Sequence, residues 1–140
     1  YKIIVKKLIG GMLMTIKEAS QVTGVSADTL RYYERIGLIP AVPRNESGIR
    51  NYDEASIGWI NFIKCMRGAG LPIEALIEYV ALCKEGDKTE ASRKVILIEQ
   101  RDILQQRIES LQKTLVKLNY KIDNYGHLNQ EAIKNIKWNE

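Results

Sequence analysis

The longest regular pattern of apolar positions runs down the last third of the chain. Leu97, Arg101, Leu104, Ile108, Leu111, Leu115, Leu118, Ile122 and Tyr125 follow one another in steps of alternately four and three, and the residues between them are mostly Lys, Arg, Glu and Gln. That is a heptad seam with a single polar position, Arg101, and it predicts a helix over 88–125. At ~1.5 Å per residue such a helix spans roughly 55 Å. It cannot bury its own stripe, so the stripe packs on the N-terminal helices or on another chain. The length and unbroken period favour another chain, which makes Leu97, Leu104, Ile108, Leu111, Leu115, Leu118 and Ile122 dimerisation residues of an expected homodimer. Thr89 is expected to cap the helix and Gly126 to end it. The tail, 126–140, holds a weakly amphipathic piece with Ile133, Ile136 and Trp138.

Upstream the apolar periods are short and punctuated. Thr15 with Glu18 three residues on reads as a capping box for a short helix through Ala19 to Val22. Thr23-Gly24-Val25 reads as a turn. Ser26 then caps a second helix, Ala27 to Arg35, with Gly37 just past its end. Two short helices joined by a tight glycine turn predict a helix-turn-helix. Val42-Pro43-Arg44 and Ile49-Arg50-Asn51-Tyr52 flank the turn-rich Asn45-Glu46-Ser47-Gly48 and predict a small hairpin, a wing. Asp53 caps a helix over Glu54 to Arg67, with Trp59, Ile60, Phe62, Ile63 and Met66 recurring at three and four. Pro72 opens a further helix to Lys84, stopped by Gly86. The expectation is a mostly α chain: a winged helix-turn-helix over 14–84 followed by a coiled-coil helix. Residues 1–13 interrupt an apolar run with lysines, too short to span a bilayer, and read as an N-terminal extension without a functional arm.

Composition narrows the classes. Of 140 residues 45% are hydrophobic, enough for a core, and the net charge of +4 permits an anionic partner. Two cysteines without framework spacing argue against a disulfide scaffold and for a reducing cytoplasm. One histidine, no nucleophile paired with a base and no phosphate-cradling loop leave nothing to carry catalysis, so neither enzyme nor cofactor is expected.

Short polar groups and a guanidinium at the start of the second helix (Ser26, Thr29, Arg31, Tyr32) suit a recognition helix whose first half meets base edges in a major groove. Tyr33 can reach phosphates, as can Arg44, Arg50 and Tyr52 of the wing, and Lys17, Lys64 and Arg67 add cations. Between Thr15 and Gly70, however, seven Lys/Arg face six Asp/Glu, a net of +1. DNA affinity must come from where the cations stand, not from a general positive field, and a dimer would double the phosphate contacts.

The runs TIKEASQVTGVSADTLRYYERIGLI, GIRNYDEA and FIKCMRGAGLPIEAL resemble the MerR family of bacterial transcription regulators over about 14–84, and the long helix resembles the family's dimerisation helix. The resemblance implies a winged helix-turn-helix homodimer joined by an antiparallel coiled coil. Such a dimer binds double-stranded promoter DNA with an overlong spacer and acts on RNA polymerase indirectly, by bending and untwisting the spacer. It implies that Arg31, Tyr32 and Arg50 contact DNA and that Tyr33, Lys64 and Arg67 grip phosphates near the centre of the site. Asn51 stands where many relatives carry a second wing arginine.

Metal-sensing members are similar in the DNA-binding part but carry cysteines at the start of the dimerisation helix and just after it. The corresponding stretches here, GDKTEAS and YGHLNQ, have none, so no metal site is expected. The chain is more similar to the small branch with a lone cysteine, associated with aldehyde or thiol stress, and Cys65 is the sensor candidate. Local sequence equally supports a semi-buried structural Cys65. Its neighbours at three and four are Asn61, Phe62, Gly68 and Ala69, none charged, and the helix C-terminus opposes a thiolate. An activating cation would have to come from elsewhere, such as Arg35 or a partner helix. Cys83 reads as a helix-face packing residue. The alternatives are a metal-responsive regulator of the same family and a coiled-coil adaptor that binds protein through a degenerate DNA-binding domain.

Overall fold

The structure, a computed structural model, describes residues 13–128 and 133–138. The reading of residues 1–12 as an extension, and part of the tail, lie outside the described residues. The chain divides into two compact units, one ending at Ile98 and one beginning at Glu99.

Helix α1 (Ile16–Thr23) starts on the expected capping box: the Glu18 N–H donates to Thr15 Oγ1 at 3.2 Å and the Glu18 carboxylate accepts from the Thr15 N–H. Gly24 ends it in the left-handed region, φ 71°, its N–H bonded to the Ser20 carbonyl. Ser26 caps α2 (Ala27–Ile36) through the Thr29 N–H, and Gly37 closes it at φ 81°. Both helices run a residue or more beyond their expected ends, because each glycine cap accommodates one more helical residue before it. Asp53 caps α3 (Glu54–Gly68), accepting from Ser56 N–H at 2.8 Å. Pro72 is the N-cap residue of α4 (Ile73–Lys84).

The first unit is held by a core in which each of these elements has a share. Ala19 of α1, Leu30 of α2, Ile57, Ile60 and Ile63 of α3, Leu76 of α4 and the connecting residues Leu38, Ile39, Val42 and Leu71 are all buried. Leu30 is the expected inward anchor of α2. Trp59, Phe62 and Tyr79 make a ring cluster with centroids 5.8–6.1 Å apart.

Among the described residues the wing is a turn closed by one isolated antiparallel bridge, Arg44 with Arg50, and not a two-strand ladder. Asn45 N–H donates to Ile49 O, Asn51 N–H to Pro43 O, and the Asn45 side chain accepts from the Ser47 and Ile49 amides. Pro43 has no N–H to extend the pairing. A second bridge joins Tyr52 to Met14, tying the wing's exit to the start of the domain.

A 3₁₀ turn, Asp87–Thr89, leads into α5 (Glu90–Asp123). Thr89 does not cap α5 as expected. Its hydroxyl lies 2.6 Å from the Leu82 carbonyl and 2.8 Å from that of Gly86, so it closes the end of α4. Nor does Gly126 end α5, which stops at Asp123; Gly126 lies inside the next short helix, α6 (Tyr125–Leu128). The seam residues Leu97, Ile108, Leu111, Leu115, Leu118 and Ile122 are exposed on the single chain, and Leu104 is half-buried.

Two glycines on neighbouring elements should respond oppositely to alanine. Gly24 has positive φ, and a Cβ there would meet Lys64 Nζ at 3.0 Å. Gly58 lies within α3 with open space around it. Gly24→Ala should lower the unfolding free energy by about 1–2 kcal/mol, whereas Gly58→Ala should raise it by about 0.5–1 kcal/mol, both read from urea denaturation.

Candidate nucleic-acid interface

Three arginines from two separated stretches pair with carboxylates of α2. Arg31, on α2, is half-exposed and paired with Asp28 at 2.9 Å, one turn back on the same helix. Arg44 and Arg50 reach α2 from the wing. Arg44 donates through one terminal nitrogen to the Gly48 carbonyl at 2.9 Å and places the other 3.7 Å from Glu34. Arg50 donates through Nε to Glu34 at 2.7 Å.

Glu34 is the residue that the sequence reading missed. It counted only as one acid in the charge balance, because nothing in the order of residues pairs position 34 with position 50. In the fold its carboxylate is 13% exposed and accepts from Arg50 and from the Val42 N–H, with Arg44 beside it. Burial is the largest influence on its acidity and pushes the pKa up. The Val42 N–H, Arg50 and Arg44 together outweigh burial and leave it below the usual carboxylate value.

The other α2 residues divide by exposure. Ser26 and Thr29 bond to each other, hydroxyl to hydroxyl, at 2.8 Å at the helix start. Tyr32 is exposed with the Arg35 guanidinium 5.6 Å from its ring centre, so Arg35 stacks on tyrosine and not on a thiol. Tyr33 packs partly against the core, which limits what its ring can offer outside. Tyr52, expected at the phosphate-facing surface, is fully buried. Its ring fills the space under the wing, and its hydroxyl has no hydrogen-bond partner; burial raises its pKa. It is a core residue that supports the wing and offers nothing directly to a phosphate. Lys17 is exposed on α1.

Lys64 and Arg67 of α3 are each tied to a backbone carbonyl. Lys64 Nζ donates to Thr23 O at 2.8 Å, capping the C-terminal end of α1 beside Gly24. Arg67 donates to Leu71 O at 2.7 Å, bracing the turn after α3. Each keeps further N–H groups in hand. Neither is directed at Cys65, which lies exposed between them. The semi-buried reading of Cys65 is therefore corrected: its place on α3 turns it outward. The thiol with a cation nearby is Cys83, half-buried on α4, with Arg93 4.0 Å from its sulfur and the Tyr79 side chain bonded to it. Among the described residues no helix is long and apolar enough to cross a membrane.

Comparison with known proteins agrees with this geometry. Residues 14–82 match the MerR HTH family regulatory protein model, and 57–120 match the MerR, DNA binding model. The chain is 59% identical to the HTH-type transcriptional regulator AdhR of Bacillus subtilis over 91 residues, 65% of either chain. A crystal structure of a MerR family transcriptional regulator from Listeria monocytogenes superposes with a TM-score of 0.79 at 51% identity, covering 86% of this chain and 92% of that one. HiNmlR, described as a MerR family regulator lacking the sensor domain and bound to promoter DNA, superposes with a TM-score of 0.75 at 29% identity, covering 82% and 91%. The paired short helices, the arginine-bearing wing and the long apolar-seamed helix thus occur together in a chain that belongs to the MerR family, a DNA-binding transcription regulator and not an enzyme.

Proposed function

We propose that the protein is a homodimeric promoter-binding regulator of the cytoplasm, affecting RNA polymerase indirectly by distorting promoter DNA, and that thiol-reactive electrophiles such as aldehydes act on it through Cys65. The observation that carries the DNA part is the placement of three arginines against α2, Arg31 half-exposed beside Asp28 and the wing's Arg44 and Arg50 held at Glu34. The three arginines outnumber the two carboxylates that they pair with, Asp28 and Glu34, and a guanidinium so paired still has N–H donors to offer a phosphate. Ser26, Thr29, Arg31 and Tyr32 read base edges in this arrangement; Lys17, Tyr33, Arg44, Arg50, Lys64 and Arg67 meet phosphates. The relative that is seen on promoter DNA without a sensor domain supports the reading of a short chain of this family as a DNA binder.

The dimer part rests on α5. A run of exposed Leu and Ile at heptad spacing is too extended a patch for a monomer's surface. Pairing with a second copy in antiparallel orientation covers the seam and gives the dimer two α2 helices, one for each DNA half-site.

The sensing part rests on the exposure of Cys65 and on its position between Lys64 and Arg67. With an aldehyde the thiol sulfur bonds to the carbonyl carbon, the carbonyl π pair moves to oxygen, and the thiol proton ends on that oxygen, giving a hemithioacetal. An added group there enlarges the side chain next to Lys64, whose Nζ holds the Thr23 carbonyl.

Fluorescence anisotropy on a palindromic promoter duplex with an overlong spacer tests the DNA part: Arg31→Ala should weaken binding about tenfold and lower the salt slope by about 1 per protomer. Unchanged affinity and slope would remove α2 from the interface. Binding that persists at high salt to a protein partner instead would favour the adaptor. Leu111→Lys combined with Leu115→Glu should give a monomer by analytical ultracentrifugation; an intact dimer would place the interface elsewhere. Cys65→Ser should keep DNA binding and abolish the promoter's response to formaldehyde and methylglyoxal in a reporter assay. A response that survives would assign sensing to another group.

A further inference from the structure

Glu34 stands where simple electrostatics would not place it. A carboxylate in the last turn of α2 faces the negative end of the helix dipole, and on a DNA-binding face it repels phosphate. Yet it is largely buried and accepts from Val42 N–H and Arg50 Nε, with Arg44 3.7 Å away. The Met14–Tyr52 bridge and the buried Val42 and Tyr52 hold the base of the wing, while the Arg44–Arg50 bridge and the turn's own bonds close its tip on itself; the Glu34 carboxylate is what bonds the wing to α2. Each of the two arginines presents only part of its fork to this carboxylate: Arg50 uses Nε, and Arg44 turns one terminal nitrogen towards it while the other bonds Gly48 O. A guanidinium carries five N–H donors, so each keeps donors that these bonds do not use, in a plane they already set.

We infer that Glu34 is a positioning residue for DNA binding, acting as a built-in stand-in for phosphate that holds Arg44 and Arg50 in the orientation in which they meet the DNA backbone. This rests on the reading that α2 and the wing face DNA. The two effects of the carboxylate have opposite signs. As a bare negative charge it weakens DNA binding, so its removal would tighten the complex. As the anchor of two arginines it strengthens binding, so its removal loosens the wing and weakens the complex although the protein becomes more positive.

Glu34→Gln separates the two, since the amide keeps the shape and an acceptor oxygen and loses the charge. The anchor predicts that duplex affinity falls about tenfold and that the salt slope falls by about 1 per protomer, because fewer arginines engage phosphate. It also predicts that Glu34→Gln adds little to Arg50→Ala, as the two act through one contact. Affinity equal to or tighter than the unaltered protein's would overturn the inference. Two readouts need no DNA. Amide hydrogen exchange at Val42, Asn45 and Asn51 should quicken in Glu34→Gln, and unchanged protection would equally overturn it.

The second readout is a pH profile of melting temperature. The groups facing Glu34 are Arg44 and Arg50 of the wing, with Tyr52 beneath, and Cys83 and Lys84 of α4 line a cavity that Glu34 shares. A carboxyl held below its ordinary 4.5 stabilises the fold fully above that pH and loses the contribution as pH falls through its lowered value. The gap in melting temperature between the unaltered protein and Glu34→Gln should be constant above pH 4.5 and close below it; no gap at neutral pH would overturn the inference. If Glu34→Gln shows the exchange and pH effects while Arg31→Ala leaves DNA affinity unchanged, the anchor stands and the DNA reading fails.

Discussion

The hydrogen bonds that join the wing to α2 meet at a single half-buried carboxylate, that of Glu34. A hairpin of this size, closed by one bridge and with a proline in one arm, brings little stability of its own, and its arginines would otherwise sweep a wide volume. Glu34 joins it to α2 through one backbone amide and one arginine side chain, with a second arginine alongside. Because that carboxylate is mostly shielded from water, each of these bonds is stronger than its surface equivalent, and the acceptor is too well paired to act as an exposed negative charge. The Tyr52 ring beneath completes the support, at the expense of a hydroxyl without a partner.

Helix α3 does for the helix-turn-helix what Glu34 does for the wing. Its inner face of Ile57, Ile60 and Ile63 fills the core, and two cations on its outer half close the ends of neighbouring elements: Lys64 at the end of α1 and Arg67 at the turn into α4. Cys65 lies exposed between those two side chains. Cys65 directly follows Lys64, whose Nζ holds the Thr23 carbonyl at the end of α1. Direct charge stabilisation of a Cys65 thiolate has no support in this geometry, since the neighbouring cations look away and Arg35 stacks on Tyr32. Arg93 stands instead beside Cys83, ten residues away in sequence and brought close by the turn between α4 and α5.

Much of the architecture was legible in the order of residues. The capping box at Thr15, the serine and aspartate caps, and the glycine stops are local features whose partners lie within four residues, so each boundary came out within a few positions. The heptad seam of α5 was equally plain, since its period is a property of one helix. Where a boundary residue had a competing tertiary partner, the local reading failed. Thr89 bonds back to the end of α4, and Gly126 continues into a short helix beyond the end of α5.

The candidate interface was less legible, for the same reason. Sequence picked out which side chains carry charge but not which way they turn. Tyr52 looked like a surface tyrosine and is core; Lys64 and Arg67 looked free and each holds a carbonyl; Glu34 looked like one acid among six and is the wing's anchor. What the sequence by itself determined was the family, the longer helices and the heptad seam, because these follow from short-range motifs, periodicity and caps. Only the tertiary structure decided which charges pair and which face outward. A pairing such as Glu34 with Arg50 spans sixteen residues and an intervening loop, and no local rule of helix or turn reaches that far.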